Sequence, residues 1–307
     1  MASYPNSDPA LAARITRASS KQTYYTISAL VDRGLVDDAY RAYAYFRWVD
    51  DWLDEGSRPS GERLAFLRRQ QALVEAYYHG EPIGDLAPEE LLLADLIHRH
   101  AESGGGLRAY VENMMAVMAF DAQRRGRLVS ARELDAYTCW LAVAVTEAMH
   151  YFIGHGSVSP SDQTRYLAVT GAHITHMLRD AVEDASAGYY NIPREVLAAG
   201  RIAAWDVDNP AYRDWVRERV SQARACFRVG RDYLARVENL RCRIAGYAYT
   251  RRFEVVLDCI EREDYRLRAQ YSERKGCARG IEMIVSALWM AFTARPFTPA
   301  ASTIQVR

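Results

Sequence analysis

Tyr43, Arg47, Asp50 and Asp54 follow one another at spacings of four, three and four, so a helix through them carries a tyrosine, an arginine and two carboxylates on one stripe. Asp51 lies beside them, and Phe46, Trp48, Val49, Trp52 and Leu53 surround them with apolar and aromatic surface. A solvated acidic face is not normally wrapped in such residues. Carboxylates four apart repel each other, more strongly where the dielectric is low, so a cation is expected between them. A second segment repeats the pattern. His173, His176, Asp180 and Asp184 share one helical stripe, Glu183 lies beside it, and Arg179 adjoins the first aspartate. Facing oxygen ligands on two helices suit Mg²⁺, which keeps several waters and is completed by substrate phosphate oxygens. Arg47 and Arg179 would then hold the phosphates bidentately. One such stripe is common on a salt-bridged surface; two, both set among apolar residues, point to a site.

Such stripes require helices, and the rest of the chain supplies the pattern. Apolar residues recur at spacings of three and four, as in Leu92, Leu93, Leu96, Ile97 and in Val255, Val256, Cys259, Ile260. Proline and glycine are sparse and cluster as punctuation at 56–61, 80–88, 104–106, 154–161, 193–200 and 209–210. Gly188 and Pro193 end the second acidic helix. No stretch alternates with period two between hairpin turns, and no change of composition marks a second domain. The expectation is an all-α protein with one domain over 18–294, a flexible N-terminal segment over 1–17 and a flexible tail over 295–307, where Pro296 and Pro299 oppose helix.

Composition limits the partners. The 307 residues hold 39 basic and 39 acidic side chains, without the basic excess that a nucleic-acid binder uses to neutralise phosphates. Lys21 and Lys275 are the only lysines, a bias to which we assign no function. Five cysteines, none in a C-x-x-C pair, read as buried thiols in a reducing compartment. The polar N-terminus lacks the apolar run of a signal peptide, so a cytoplasmic location is expected. The longest apolar run, Ile281 to Phe292, is too short to span a bilayer and is expected to be a core helix, with membrane contact limited to a peripheral kind.

The chain resembles the squalene and phytoene synthase family over most of its length, from Ser20 to about Met290. The resemblance rests on Ser20-Lys21-Gln22-Thr23-Tyr24-Tyr25, on Tyr43 to Asp54, on Phe120-Asp121 with Glu133-Leu134 and Tyr137, on Leu178-Arg179-Asp180 to Asp184 with Ile192-Pro193, and on Leu257-Asp258-Cys259-Ile260. It implies a helical bundle of the isoprenoid synthase type with a central cavity. It also implies Mg²⁺ held by Asp50, Asp51, Asp54, Asp180, Glu183 and Asp184, and a prenyl diphosphate bound through Ser20, Lys21, Thr23, Arg47 and Arg179. Ionisation of an allylic diphosphate needs charge stabilised on the leaving group and an apolar pocket with aromatic faces for the cation. Tyr43 and Tyr137 match family tyrosines near the reacting centre, and the resemblance implies that they move a proton.

The departures from the family pattern bear on the acceptor. His176 and His173 stand where an Asn and a Gln are usual, and Tyr189-Tyr190-Asn191-Ile192-Pro193 replaces the end of a G-R-x-Y-x-P stretch. Phe253 replaces a tyrosine, and Val143 and Thr146 occupy two glycine positions, where they would narrow a prenyl channel. His150, His155, His173 and His176 lie close in sequence, with Glu147 one turn before His150, but no H-E-x-x-H or thiolate spacing supports zinc. Glu147, His173 or His176 could serve as a base. The leading expectation is prenyl transfer to a non-standard small-molecule acceptor, such as an electron-rich aromatic ring in specialised metabolism. The alternatives are head-to-head condensation with a second prenyl diphosphate, cyclisation as in class I terpene synthases, and a non-catalytic partner subunit.

Overall fold

The computed structural model describes residues 7–56, 58–81, 84–100, 105–271 and 277–293. Every regular element among them is helical: α1 (Pro9–Ser19), α2 (Lys21–Leu30), α3 (Val36–Asp54), α4 (Ser60–His79), α5 (Pro88–Arg99), α6 (Gly106–Arg124), α7 (Ala131–Ile153), α8 (Leu167–Ser186), α9 (Arg194–Gly200), α10 (Pro210–Ala235), α11 (Leu240–Arg262) and α12 (Cys277–Thr293), with a 3₁₀ turn at Arg33–Leu35. Local chemistry sets the boundaries. Ser130 and Glu133 form a reciprocal capping box at the start of α7, each satisfying the other's backbone N–H. Asn209 and Asn239 cap α10 and α11. Gly188 takes a φ of 87° directly after α8, a left-handed conformation that favours glycine, and the chain reverses there.

The packing order gathers the site at one end of the bundle. Helix α6 lies along α7, α7 along α8, and α3 packs against α6. The C-terminal end of α6 thereby meets the N-terminal half of α7, and the C-terminal ends of α3 and α8 lie near it. The loop 187–193 is fastened to the α6–α7 turn, where Gly126 N–H donates to Gly188 O at 2.7 Å and Arg194 N–H donates to Val129 O at 2.8 Å. Two apolar cores support this arrangement, one around Tyr45, Val49 and Val111, the other around Leu178, Phe227 and Leu257. Helices α8 and α10 approach closely because Gly171 and Gly230 bring no side chain between them.

Both ends differ from expectation. Within the segment expected to be flexible over 1–17, residues 9–17 are helical. Asp8 caps α1, Pro9 opens it, and Ala12 and Thr16 are buried as it packs on α3. Ser7 donates its N–H and its hydroxyl to Asp95, both at 2.6 Å, and accepts from Arg41 Nε at 3.0 Å. Polar composition suggested a loose terminus, whereas Asp8-Pro9 is a helix start whose approach is secured by buried polar bonds. The run from Ile281 falls within α12, which is only half a core helix: Ala287 and Ala291 are buried, but Trp289 is 67% exposed and Phe292 is 69% exposed. The tail 295–307 lies outside the described residues. Among the described residues no helix is long and apolar enough to cross a membrane.

Candidate active site

Helix α3 presents its predicted stripe at its C-terminal end. Arg47 Nη1 donates to Asp50 at 3.2 Å and Nη2 to Asp51, so this guanidinium is held by its own helix. Asp54, the last residue of α3, accepts a long hydrogen bond of 3.4 Å from the Tyr189 hydroxyl on the loop after α8. Helix α8 brings Arg179 and His176 onto Asp180: Arg179 Nε lies 2.5 Å from Oδ1, and His176 Nε2 lies 2.8 Å from Oδ2. Asp184 accepts from Asn191 Nδ2 at 2.7 Å, and Glu183 beside it is exposed. Neither α3 nor α8 has a basic residue in its last turn, so Asp50, Asp51, Asp54, Glu183 and Asp184 oppose the partial negative charge of their own helix ends. That arrangement works against stability and suits a cation.

Residues outside the predicted set join the two stripes. Asp121, near the end of α6, accepts from the Tyr137 hydroxyl at 2.8 Å and from Arg124 Nε at 2.7 Å. Arg124 Nη1 donates to Asn191 Oδ1 at 2.9 Å. Asp121, Arg124, Tyr189 and Asn191 were not singled out as site residues from sequence, because they come from separate elements. The available signal was the Asp121-x-x-Arg124 spacing at a helix end.

The electrostatics follow from crowding. Burial, followed by the proximity of Asp54, Asp121 and Asp51 and against the pull of Arg47, pushes the Asp50 carboxyl up to about 7. Burial also raises Asp121 and Asp184. Burial acts in the same direction on Asp180, but hydrogen bonds from Arg179 and His176 outweigh it and hold this carboxyl well below the usual range. An aspartate raised in the folded state binds a proton that the unfolded chain lacks between the two pKa values. Its destabilising effect is therefore fully present above about 7 and is relieved as pH falls through that value. In EDTA the thermal midpoint should rise as pH is lowered from 8 to 6, and Asp50→Asn should flatten that rise. A variant that keeps the full slope would remove Asp50 as its source.

The remaining predicted residues divide by location. Tyr43 is half-buried against the main core, one turn before Arg47. His173 is buried, with Nδ1 3.1 Å from the Thr138 hydroxyl and its ring edge-on to Tyr137 at 4.7 Å. Burial pushes its pKa well below the ordinary imidazole value, so it supports Tyr137 as a neutral ring. Glu147 lies ten residues beyond Tyr137 on α7, about 15 Å away along the axis. It is held by Arg165 at 2.7 and 2.9 Å and by the Tyr166 hydroxyl at 2.9 Å, and this structural ion pair replaces the expected base. His150 joins the same remote cluster through Tyr233 at 2.9 Å. Ser20 caps α2, accepting from Thr23 N–H at 3.1 Å and from the Thr23 hydroxyl at 2.9 Å, while Lys21 is exposed. A cavity of about 810 Å³, bordered by Leu128, Tyr190, Leu197 and Trp205, is lined by none of the predicted site residues.

Among the described residues no three His, Cys, Asp or Glu side chains converge as a ready-made metal cluster, and the four clustered histidines separate into different environments. The donor chemistry still fits Mg²⁺, which is usually bound through one or two carboxylates with water and phosphate oxygens. The crowding that raises Asp50 is the cost that a cation would relieve.

The sequence model for squalene/phytoene synthase matches residues 16–275. The chain belongs to the squalene/phytoene synthase family. A presqualene diphosphate synthase from Rhodopseudomonas palustris is 26% identical over 184 residues, which cover 60% of this chain and 62% of that protein. The match thus spans less than two thirds of the relative's length. The structure of a dehydrosqualene synthase in complex with ligand superposes with a TM-score of 0.68 at 16% identity, covering 91% of this chain and 94% of the other. A squalene synthase from Alicyclobacillus acidocaldarius also gives 0.68, at 20% identity, with 85% and 95% covered. The family member described here therefore has the all-α isoprenoid synthase fold expected from its sequence.

Proposed function

We propose that this chain is a prenyltransferase that condenses two prenyl diphosphates head to head and releases diphosphate. The reading is carried by the meeting of two acidic stripes at one end of an isoprenoid synthase bundle, in a chain similar to a presqualene diphosphate synthase. It takes precedence over the non-standard acceptor expected from sequence, because the polar substitutions beside the acidic stripes have other roles. His176 hydrogen-bonds Asp180, Asn191 hydrogen-bonds Asp184, and Arg124 supplies a cation beside Tyr189, whose position lacks the family arginine.

In this reading Asp50, Asp54, Asp180 and Asp184 would hold Mg²⁺. When bound, Mg²⁺ supplies charge stabilisation to the departing diphosphate. Arg47 and Arg179, held here by carboxylates of their own helices, would hold diphosphate oxygens, to which a guanidinium donates bidentately. The faces of Phe120, Tyr137 and Tyr189 stabilise the allylic cation. Burial pushes the Tyr137 phenol well above its ordinary pKa, so it keeps its proton and donates a hydrogen bond to Asp121. Thr146 is 4% exposed, and among the described residues its buried hydroxyl has no hydrogen-bond partner.

Incubation with farnesyl diphosphate and Mg²⁺ alone, followed by mass spectrometry, tests the reading. The expected product has twice the prenyl length. A cyclised hydrocarbon of unchanged length would favour a terpene cyclase, and turnover only when an aromatic acceptor is added would restore the non-standard acceptor.

A further inference from the structure

Arg124 is a cation buried between the two acidic stripes, with a side chain only 7% exposed. It donates to Asp121 at 2.7 Å and to Asn191 Oδ1 at 2.9 Å, and its guanidinium lies 5.1 Å from the ring centres of both Tyr137 and Tyr189. Asn191 turns this contact into a bridge, since an amide both accepts and donates: Oδ1 takes the arginine and Nδ2 gives to Asp184 Oδ2 at 2.7 Å and to Met177 O at 3.1 Å. One guanidinium and one amide therefore connect a carboxylate on α6 with one on α8. Tyr189, stacked beside the same guanidinium, reaches Asp54 on α3.

Building on the metal reading above, we propose that Arg124 is the resident cation of the site. It is a positioning residue that stands in for one divalent ion and keeps the acidic stripes in register while no Mg²⁺ is bound. Both Asp121 oxygens are engaged, one by Tyr137 and one by Arg124, so this carboxylate is neutralised without metal. An arginine suits the task because it remains charged at all accessible pH and offers five donors in a planar fork. The loop 187–193 brings no cationic side chain of its own, so the charge has to come from α6. Removing it would leave Asp121 buried and uncompensated, a state that a bound cation relieves.

Thermal unfolding of the full chain in EDTA and across a Mn²⁺ titration, with bound Mn²⁺ counted by electron paramagnetic resonance, tests this. Arg124→Met should unfold at a lower temperature than the parent in EDTA and show a larger Mn²⁺-induced rise. It should also reach half-saturation at roughly tenfold lower Mn²⁺, because a fixed cation no longer repels the metal, and bind one more ion per chain. Arg124→Lys, which keeps the charge but not the planar fork, should fall between the two. If Arg124→Met does not fold, Asn191→Ala, which keeps the cation but removes its bridge to Asp184 along with the bond to Met177 O, should show the same direction with a smaller shift. A parent that responds to Mn²⁺ and variants that respond identically would overturn the role of Arg124 alone. A parent that does not respond at all would overturn the metal reading and this inference with it.

Discussion

Asp54→Ala is expected to lower diphosphate release from an allylic prenyl diphosphate roughly a thousandfold, because a bound cation contributes several kcal/mol to charge stabilisation at a leaving oxygen. The same substitution should leave the midpoint in EDTA unchanged or raised. Asp54 ends α3, where a negative side chain opposes the helix dipole, and it is one of the carboxylates that crowd Asp50. Its hydrogen bond to Tyr189 is long, at 3.4 Å, so little is lost from the fold. Opposite signs in activity and stability distinguish a residue kept for chemistry from one kept for packing. Steady-state release of pyrophosphate and a thermal melt on the same preparation decide the matter. Retained activity would remove Asp54 from the metal-binding set, and a large fall in midpoint would make it structural.

The second large effect concerns the frame that carries Asp180 and Asp184. A Cβ added at Gly230 would lie 2.6 Å from Ala168 N, 2.7 Å from its Cα and 2.8 Å from its Cβ, so the obstruction is mainly backbone and cannot rotate away. Gly230→Ala should force α8 from α10 at a cost of about 3 kcal/mol, which lowers the midpoint by about 5 °C in a chain of this size. Gly61→Ala is the control. It lies in α4 with nothing within 4 Å of the added methyl, and should be neutral or stabilising by up to about 1 kcal/mol. Urea unfolding of the two variants measures the difference. Equal midpoints would mean that α8 and α10 separate freely.

Legibility in the sequence depended on distance along the chain. The D-x-x-x-D stripes could be read because three- and four-residue spacing on a helix places side chains on one face whatever the rest of the molecule does. Residues 9–17 were misread because composition favoured a loose terminus, although Asp8-Pro9 is itself a local start signal. Glu147 was placed near the chemistry because it sits close to His150 in sequence. Yet α7 is long enough to carry Tyr137 into the site and Glu147 into an ion pair with Arg165 at a distance. The half-exposed character of α12 was hidden for a similar reason, since an apolar run does not reveal how many of its faces find a partner.

From the sequence alone came the all-helical fold, the family and the two carboxylate stripes, all of which depend on local periodicity and motif spacing. Only the tertiary structure decided which charges neutralise one another. It places Asp121, Arg124, Asn191 and Asp184 in one hydrogen-bonded line, although the first and last are 63 positions apart in sequence (184 − 121) and sit on α6 and α8. Charge compensation acts over a few ångströms in a low-dielectric recess, and that proximity is created by helix packing rather than by any spacing along the chain.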